Sequence, residues 1–307
     1  MSERRWVSSG LGEPAFEQLA KGLSGSELGS LLLEAMRARA SARAPKQVLA
    51  QYARDRFCAP SPIDLRTSLA LDAQLLEAAE GFEAIELSPV APLGTCSSVA
   101  LTDQNRVLSA LRMTEVVSDP TNVLALECAR RLRAEPSARV HLTTIQRVVR
   151  TQPVPKLPGF TQHFRIFVLA SGGAEGKDHE FSLASLERHI RTMLAALERL
   201  ERHGYAFGAR RVEVLAGEGK QALGDRVAAE LERALPGRVA RGPLEHGYYS
   251  GGLRYKLWVT APDGAEVPLA DGGSFDWLAQ LGSNRRAVYV ASGTGAQVMA
   301  LRFRGSS

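Results

Sequence analysis

The run from Arg139 to Ala170 constrains the fold more than any other stretch of the chain. Thr143 to Arg150 alternates β-forming and polar residues, and His163 to Leu169 does so again after a loop carrying Pro153, Pro155, Pro158 and Gly159. Period-two alternation on both sides of a proline-rich loop predicts an antiparallel strand pair. Its charge is one-sided: between 130 and 165, Arg130, Arg131, Arg133, Arg139, Arg147, Arg150, Lys156 and Arg165 face only Glu135. An arginine at a strand end, beside a loop able to fold over a ligand, can hold a phosphate or carboxylate through paired N–H donors. A solvated basic face accounts for the same charge equally well.

The rest of the chain supplies the context. At 307 residues and 45% apolar content it can bury a substantial core as one large domain or two ordinary ones. The net charge of +5 permits an anionic ligand or weak RNA contact without requiring either. Cys58, Cys96 and Cys128 are odd in number and irregularly spaced, which argues against a disulfide framework and a zinc site. Cys96 and Cys128 read as buried small hydrophobes. Glu3, Arg4 and Arg5 interrupt any apolar signal core, and no run of ~20 apolar residues could span a bilayer, so a cytoplasmic location without membrane attachment is expected.

Residues 13–57 read as three short helices, with Ser24 and Glu27 forming a capping box and Pro45 opening the last. A longer helix is expected from Ser61 and Pro62 to Gly81, then a strand over Phe82–Leu87 closed by Pro89. Ser118 or Asp119 with Pro120 caps a helix running to about Arg133. Beyond the central pair, the apolar stripe Leu183, Leu186, Ile190, Met193, Leu194, Leu197 marks a helix over Ser182–Arg202. Strand Arg211–Leu215, helix Lys220–Leu235 and extended runs at Leu253–Thr260, Glu266–Ala270 and Ala287–Ala291 follow, with helical turns at Phe275–Leu281 and within Thr294–Phe303. Strands joined by short loops predict a mainly antiparallel sheet with helices packed on it.

Taken in order, several of these pieces resemble the catalytic core of class II aminoacyl-tRNA synthetases, nearest to histidyl-tRNA synthetase and the regulatory subunit of ATP phosphoribosyltransferase. The long helix followed by Gly81-Phe82-Glu83-Ala84-Ile85-Glu86-Leu87-Ser88-Pro89 is similar to the family's first motif, which builds a dimer interface. Arg150-Thr151-Gln152, the proline loop and Phe164-Arg165-Ile166-Phe167 are similar to its second. Tyr248-Tyr249-Ser250-Gly251 resembles the segment lining the histidine side-chain pocket, and Gly272-Gly273-Ser274-Phe275-Asp276-Trp277-Leu278 the segment that follows it. The resemblance covers roughly 64–303 and implies an α+β class II synthetase-like core over 61–307 behind a helical extension over 1–60. Because the chain ends at Ser307, soon after the last core helix, no anticodon-reading domain is expected.

The resemblance also implies roles. Arg150 would hold the ATP α-phosphate and the amino acid carboxylate, with Arg147 as the alternative register, and Phe164 and Arg165 would border the nucleotide. Asp119 would receive the amino group, unless it serves only as a helix cap. Gln152, Tyr248, Tyr249, Gly272 and Gly273 would line the substrate; the glycines read equally as a turn, and the tyrosines as core. His163 reads as a surface or core residue more readily than a ligand contact. ATP with Mg2+, a homodimer, and a partner enzyme or carrier are implied in the same way. RNA contact by the extension is a weaker reading, since its nine Lys or Arg against six acids are a mild excess.

The departures bear on activity. Where the third motif carries Glu-Arg, aligned on Gly293, this chain has Gly295 and Ala296; the activating arginine before the tyrosines is replaced by Leu244-Glu245-His246-Gly247; and the second-motif acid is Gln152. Removing a charge-stabilising group of this kind costs ~3–4 kcal/mol at the transition state. Two functions are therefore expected: a stand-alone protein that binds an amino acid with an adenine nucleotide and activates it as an adenylate, or a non-catalytic amino-acid sensor acting as a regulatory subunit.

Overall fold

The computed structural model describes residues 10, 12–154, 160–282 and 284–305. Pro155, Lys156, Pro158 and Gly159 of the proline loop, and Glu3, Arg4 and Arg5, lie outside the described residues. The chain begins with α1 (Glu13–Glu17), which runs into a π-helical turn over Gln18–Gly22, then α2 (Gly25–Ser41) and α3 (Pro45–Tyr52). Ser24 and Glu27 make the expected reciprocal cap, the Glu27 amide donating to the Ser24 hydroxyl and the Ser24 amide to the Glu27 carboxylate. The next helix, α4 (Leu65–Ala78), is capped by Asp64 and so starts later than the expected Ser61–Pro62. A carboxylate two and three residues before the helical amides of Arg66 and Thr67 can accept from both, and Asp64 does so.

Eleven strands follow among the described residues: β1 (Glu83–Ala84), β2 (Val90–Pro92), β3 (Ser109–Ala110), β4 (Thr114–Val116), β5 (Val140–Val149), β6 (His163–Ala174), β7 (Arg210–Ala216), β8 (Val239–Pro243), β9 (Leu253–Thr260), β10 (Glu266–Phe275) and β11 (Ala287–Gly295). Between them lie α5 (Pro120–Ala134), α6 (Glu180–Glu201), α7 (Gln221–Ala234) and α8 (Trp277–Gly282), and α9 (Ala296–Arg302) comes last. Strands β2, β4 and β3 make a small antiparallel sheet. The other eight form one sheet in the order β1-β5-β6-β11-β10-β9-β7-β8. It is mixed: the two outermost pairings, β1 with β5 and β7 with β8, are parallel, and all the pairings between are antiparallel.

Strand alternation gives the large sheet two buried faces. On β6, Phe167 and Leu169 join a core built with α4, α6, α7 and α9, whereas Ile166, Val168 and Ala170 join a second core with α5 and α8. The first is closed by long helices; α6 lays Leu186, Ile190, Met193 and Leu197 on the sheet, all almost fully buried. The second face is covered by α5 and the short α8, and a cavity opens there. No helix among the described residues is long and apolar enough to cross a membrane.

Candidate functional site

The end of β5 lies against the segment entering α5, because the Val149 amide donates to Val117 O at 3.2 Å. That pairing brings Arg150 to Asp119. Asp119 caps α5 with Oδ1, which accepts from the Thr121 amide at 3.0 Å and its hydroxyl at 2.7 Å. Its Oδ2 is held loosely, by the Tyr248 hydroxyl at 3.5 Å and Arg150 Nη2 at 3.7 Å. The carboxylate is thus both a cap and a cavity wall. Arg150 is aimed by its Nε, which donates to Ser118 O at 3.0 Å, and by the Phe164 ring, 5.2 Å below its guanidinium carbon. Its Nη groups keep donors for a ligand.

A second acid–arginine pair lines the same cavity. On neighbouring strands, Arg254 of β9 and Asp271 of β10 point from one face of the sheet, and Arg254 donates Nε to Asp271 Oδ1 at 3.0 Å and Nη2 to Oδ2. Tyr249 donates its hydroxyl to Asp271 Oδ1 at 2.7 Å, and the Arg254 guanidinium sits 4.8 Å from the Tyr249 ring. The two tyrosines, adjacent in sequence and nearly perpendicular, therefore reach one carboxylate each. Burial first, then the negative charge of Asp119, raises the Tyr248 hydroxyl pKa well above its usual range. Burial first, then Asp271, does the same for Tyr249. Both stay neutral donors at ordinary pH.

Small residues make this packing possible. A Cβ on Gly273 would come within 2.2 Å of Leu253 O and 2.5 Å of the Tyr249 ring, and one on Gly272 within 2.2 Å of Ser292 Oγ. Both glycines lie inside β10, so the turn reading is corrected: close approach of neighbouring groups, not chain reversal, requires them. The roof of the cavity is the segment 94–106, organised by the buried Glu115 carboxylate, which accepts from the Gly94 and Cys96 amides at 2.9 Å each and from Gln104 Nε2 at 3.0 Å. Cys96 borders the cavity with its thiol near Ser118 Oγ and Asn122 Nδ2, both at 3.4 Å. Burial pushes its pKa up, which keeps it a protonated thiol.

The resulting space is about 440 Å³, within the usual range for small-molecule sites. Asp119, Arg150, Gln152, Phe164, Tyr248, Tyr249 and Gly272 all border it. Gly273 stands behind Tyr249 instead. Arg165 does not reach the cavity: one residue after Phe164, it points to the opposite face and ion-pairs with Asp72 of α4. Arg147 shares that face, with Nη1 3.0 Å from His163 Nδ1, which removes the alternative register. The other ring nitrogen of His163 meets Ala59 O at 2.6 Å, so this histidine is occupied within the chain.

Arg106, Arg254, Asp271 and His246 are cavity residues that the sequence reading missed. Had β10 been extended past Ala270, its alternation would have put Asp271 on the same face as Phe275. At the third-motif position, Gly295 precedes α9 and the Ala296 methyl is buried. Arg302 is committed to Asp263 at 2.8 Å. Among the described residues no group of three or more His, Cys, Asp or Glu is placed to hold a metal ion.

No protein-family model matches the chain, and no curated protein matches it in sequence. Solved structures do match. An ATP phosphoribosyltransferase regulatory subunit/histidyl-tRNA synthetase from Bacillus halodurans aligns at TM-score 0.58 and 14% identity, over 79% of this chain and 82% of that one. A histidine–tRNA ligase subunit from Alicyclobacillus acidocaldarius gives 0.59 and 13%, over 79% and 94%. Apo histidyl-tRNA synthetase from S. aureus gives 0.57 and 14%, over 80% and 68%. With the mixed sheet and its two helical layers, these alignments show that the chain has the fold of a class II aminoacyl-tRNA synthetase-like core.

Proposed function

We propose that this chain binds an amino acid in the cavity between Asp119 and Arg254. The observation that carries the reading is the loosely held pair at the α5 end: Asp119 Oδ2 and the Arg150 guanidinium, 3.7 Å apart, each with capacity left for a ligand. A zwitterion satisfies both, its ammonium donating to Asp119 and its carboxylate accepting from Arg150. Solved structures with this fold include a histidyl-tRNA synthetase and an ATP phosphoribosyltransferase regulatory subunit/histidyl-tRNA synthetase, which supports the same kind of ligand.

Between the two expected functions, sensing is favoured over adenylate formation. Ala296 offers a methyl where a triphosphate clamp is expected, and Arg302 is spent on Asp263. Activation retains one specific support: Arg106 and Arg150 both border the cavity, and two arginines could share a nucleotide phosphate. In that case Mg2+ would arrive with the nucleotide. The protein would act through a partner enzyme in the sensing case, and a homodimer through the Gly81–Pro89 segment belongs to either.

Calorimetric titration of the twenty amino acids, followed by amino acid-dependent ATP–pyrophosphate exchange with Arg150→Ala as control, tests the proposal. Saturable binding of one amino acid without exchange is expected. Exchange that disappears in Arg150→Ala would replace sensing by activation, and no binding by any amino acid would overturn the proposal.

A further inference from the structure

The resemblance to histidyl enzymes would have the far end of the cavity take an imidazole, but the groups found there ask for something else. Arg254 and Asp271 keep 19% and 38% side-chain exposure, and both border the cavity. A guanidinium carries five N–H donors, and Arg254 commits Nε and one Nη2 hydrogen to Asp271, which leaves donors over. A carboxylate offers about four acceptor sites; Tyr249 and Arg254 together use three on Asp271. The wall therefore presents spare donors beside one spare acceptor, on a pair whose charges already cancel.

Resting on the amino-acid reading above, we infer that this pair selects an amino acid whose side chain ends in a carboxamide, its C=O accepting from Arg254 and its N–H donating to Asp271. Charge decides against the ionic alternatives. A cationic side chain would find Asp271 neutralised and Arg254 repelling it; an anionic one would find Arg254 neutralised and Asp271 repelling it. An apolar side chain would displace water from an ion pair and return nothing for the lost hydrogen bonds. An imidazole carries its two nitrogens on divergent edges and cannot meet an adjacent donor and acceptor together. A carboxamide places the two groups side by side, in one plane. The two tyrosines couple this end of the cavity to the other, since Tyr248 holds Asp119 while Tyr249 holds Asp271.

The test compares ligands before it compares variants. Isothermal titration of the full chain with glutamine, asparagine, glutamate, methionine and histidine should find a carboxamide amino acid bound roughly 100-fold or more tightly than methionine, since a site with paired hydrogen-bonding groups rejects an analogue lacking them at least this strongly. Arg254→Met and Asp271→Asn, each checked for a cooperative melt, should reduce that preference to within about tenfold. Methionine or histidine binding as tightly as either carboxamide would overturn the inference and leave amino-acid binding standing. No binding by any of the twenty amino acids would overturn both. The comparison among ligands needs only the unmutated chain, so an unfolded variant does not shield the inference.

Discussion

The two faces of the β5–β6 hairpin carry the same residue types in different states. Toward α4 and α6, Arg165 pairs with Asp72 and Arg147 with His163, while His141, Ser171, His189 and Ser292 form a chain of side-chain contacts at 2.7, 2.9 and 2.9 Å. Toward the cavity, Arg150 is propped on Phe164 and stands 3.7 Å from Asp119. On the helix face polar groups spend their hydrogen bonds on each other, under an apolar cover. On the cavity face capacity is left over. A basic strand pair therefore marks a ligand site only where its arginines meet a void with donors unspent, and Arg165 and Arg150, fifteen residues apart, fall on opposite sides of that line.

Removing one partner from each face should separate the two states. Asp72→Ala leaves the part-buried Arg165 guanidinium without its partner; a fully buried pair broken in this way costs about 3–5 kcal/mol, so with solvent access to Arg165 a loss of about 2–3 kcal/mol is expected. Arg150→Ala removes a partly exposed group standing 3.7 Å from Asp119, which keeps its capping bonds, so its cost in stability should stay below about 1 kcal/mol. Ligand affinity should respond in the opposite sense: it is unchanged in Asp72→Ala and about 10- to 100-fold weaker in Arg150→Ala, the worth of a hydrogen bond to a charged group. Urea unfolding and calorimetry on both variants check the pair of expectations. Equal destabilisation by the two would erase the distinction between faces.

The pH dependence of stability sharpens the same contrast. Burial, then the nearby His141 and Arg188, lowers the His189 pKa from its usual 6.5 to about 3, and burial lowers His141 to about 4. The folded values lie below the unfolded ones, so the unfolded chain binds more protons at mildly acid pH. Their contribution is complete above pH 6.5 and falls as pH drops toward the folded values. For His189, which is fully buried, the loss amounts to roughly 3 kcal/mol by pH 4. Denaturant midpoints measured from pH 7 to pH 4 should fall accordingly, with a shallower slope in His189→Gln. An identical slope would place the acid sensitivity in the surface carboxylates instead.

How much of this could be read beforehand follows the range of the interactions. The hairpin, α6 and the Asp119 cap depend on periodicity and on Ser-Asp-Pro-Thr, which are local, and they appear close to where they were expected. The Arg254–Asp271 pair was hidden because Asp271-Gly272-Gly273 has the composition of a turn. Only the closeness of Tyr249, from the loop before β9, and of Ser292, from β11, explains glycines inside β10. Glu115 was equally illegible: its partners lie 21, 19 and 11 residues away, in a loop without a regular pattern. Arg165 was misplaced for a simpler reason. As a neighbour of Phe164 in sequence it invites assignment to the same site, although consecutive strand residues face opposite ways.

The smallest expected effect tests how the cavity face holds an arginine without spending it. Phe164 supports the Arg150 guanidinium from 5.2 Å, a contact worth about 0.5–1 kcal/mol where water has access. Phe164→Leu keeps apolar volume but removes the ring, so amino-acid binding should weaken about two- to fivefold with little change in the melting temperature. The same substitution in an Arg150→Ala background decides the mechanism. If Phe164 acts by orienting Arg150, the second loss disappears once the guanidinium is gone, because nothing remains to be oriented. If the loss persists undiminished, the ring touches the ligand itself, and the support of Arg150 falls to its bond with Ser118 O alone.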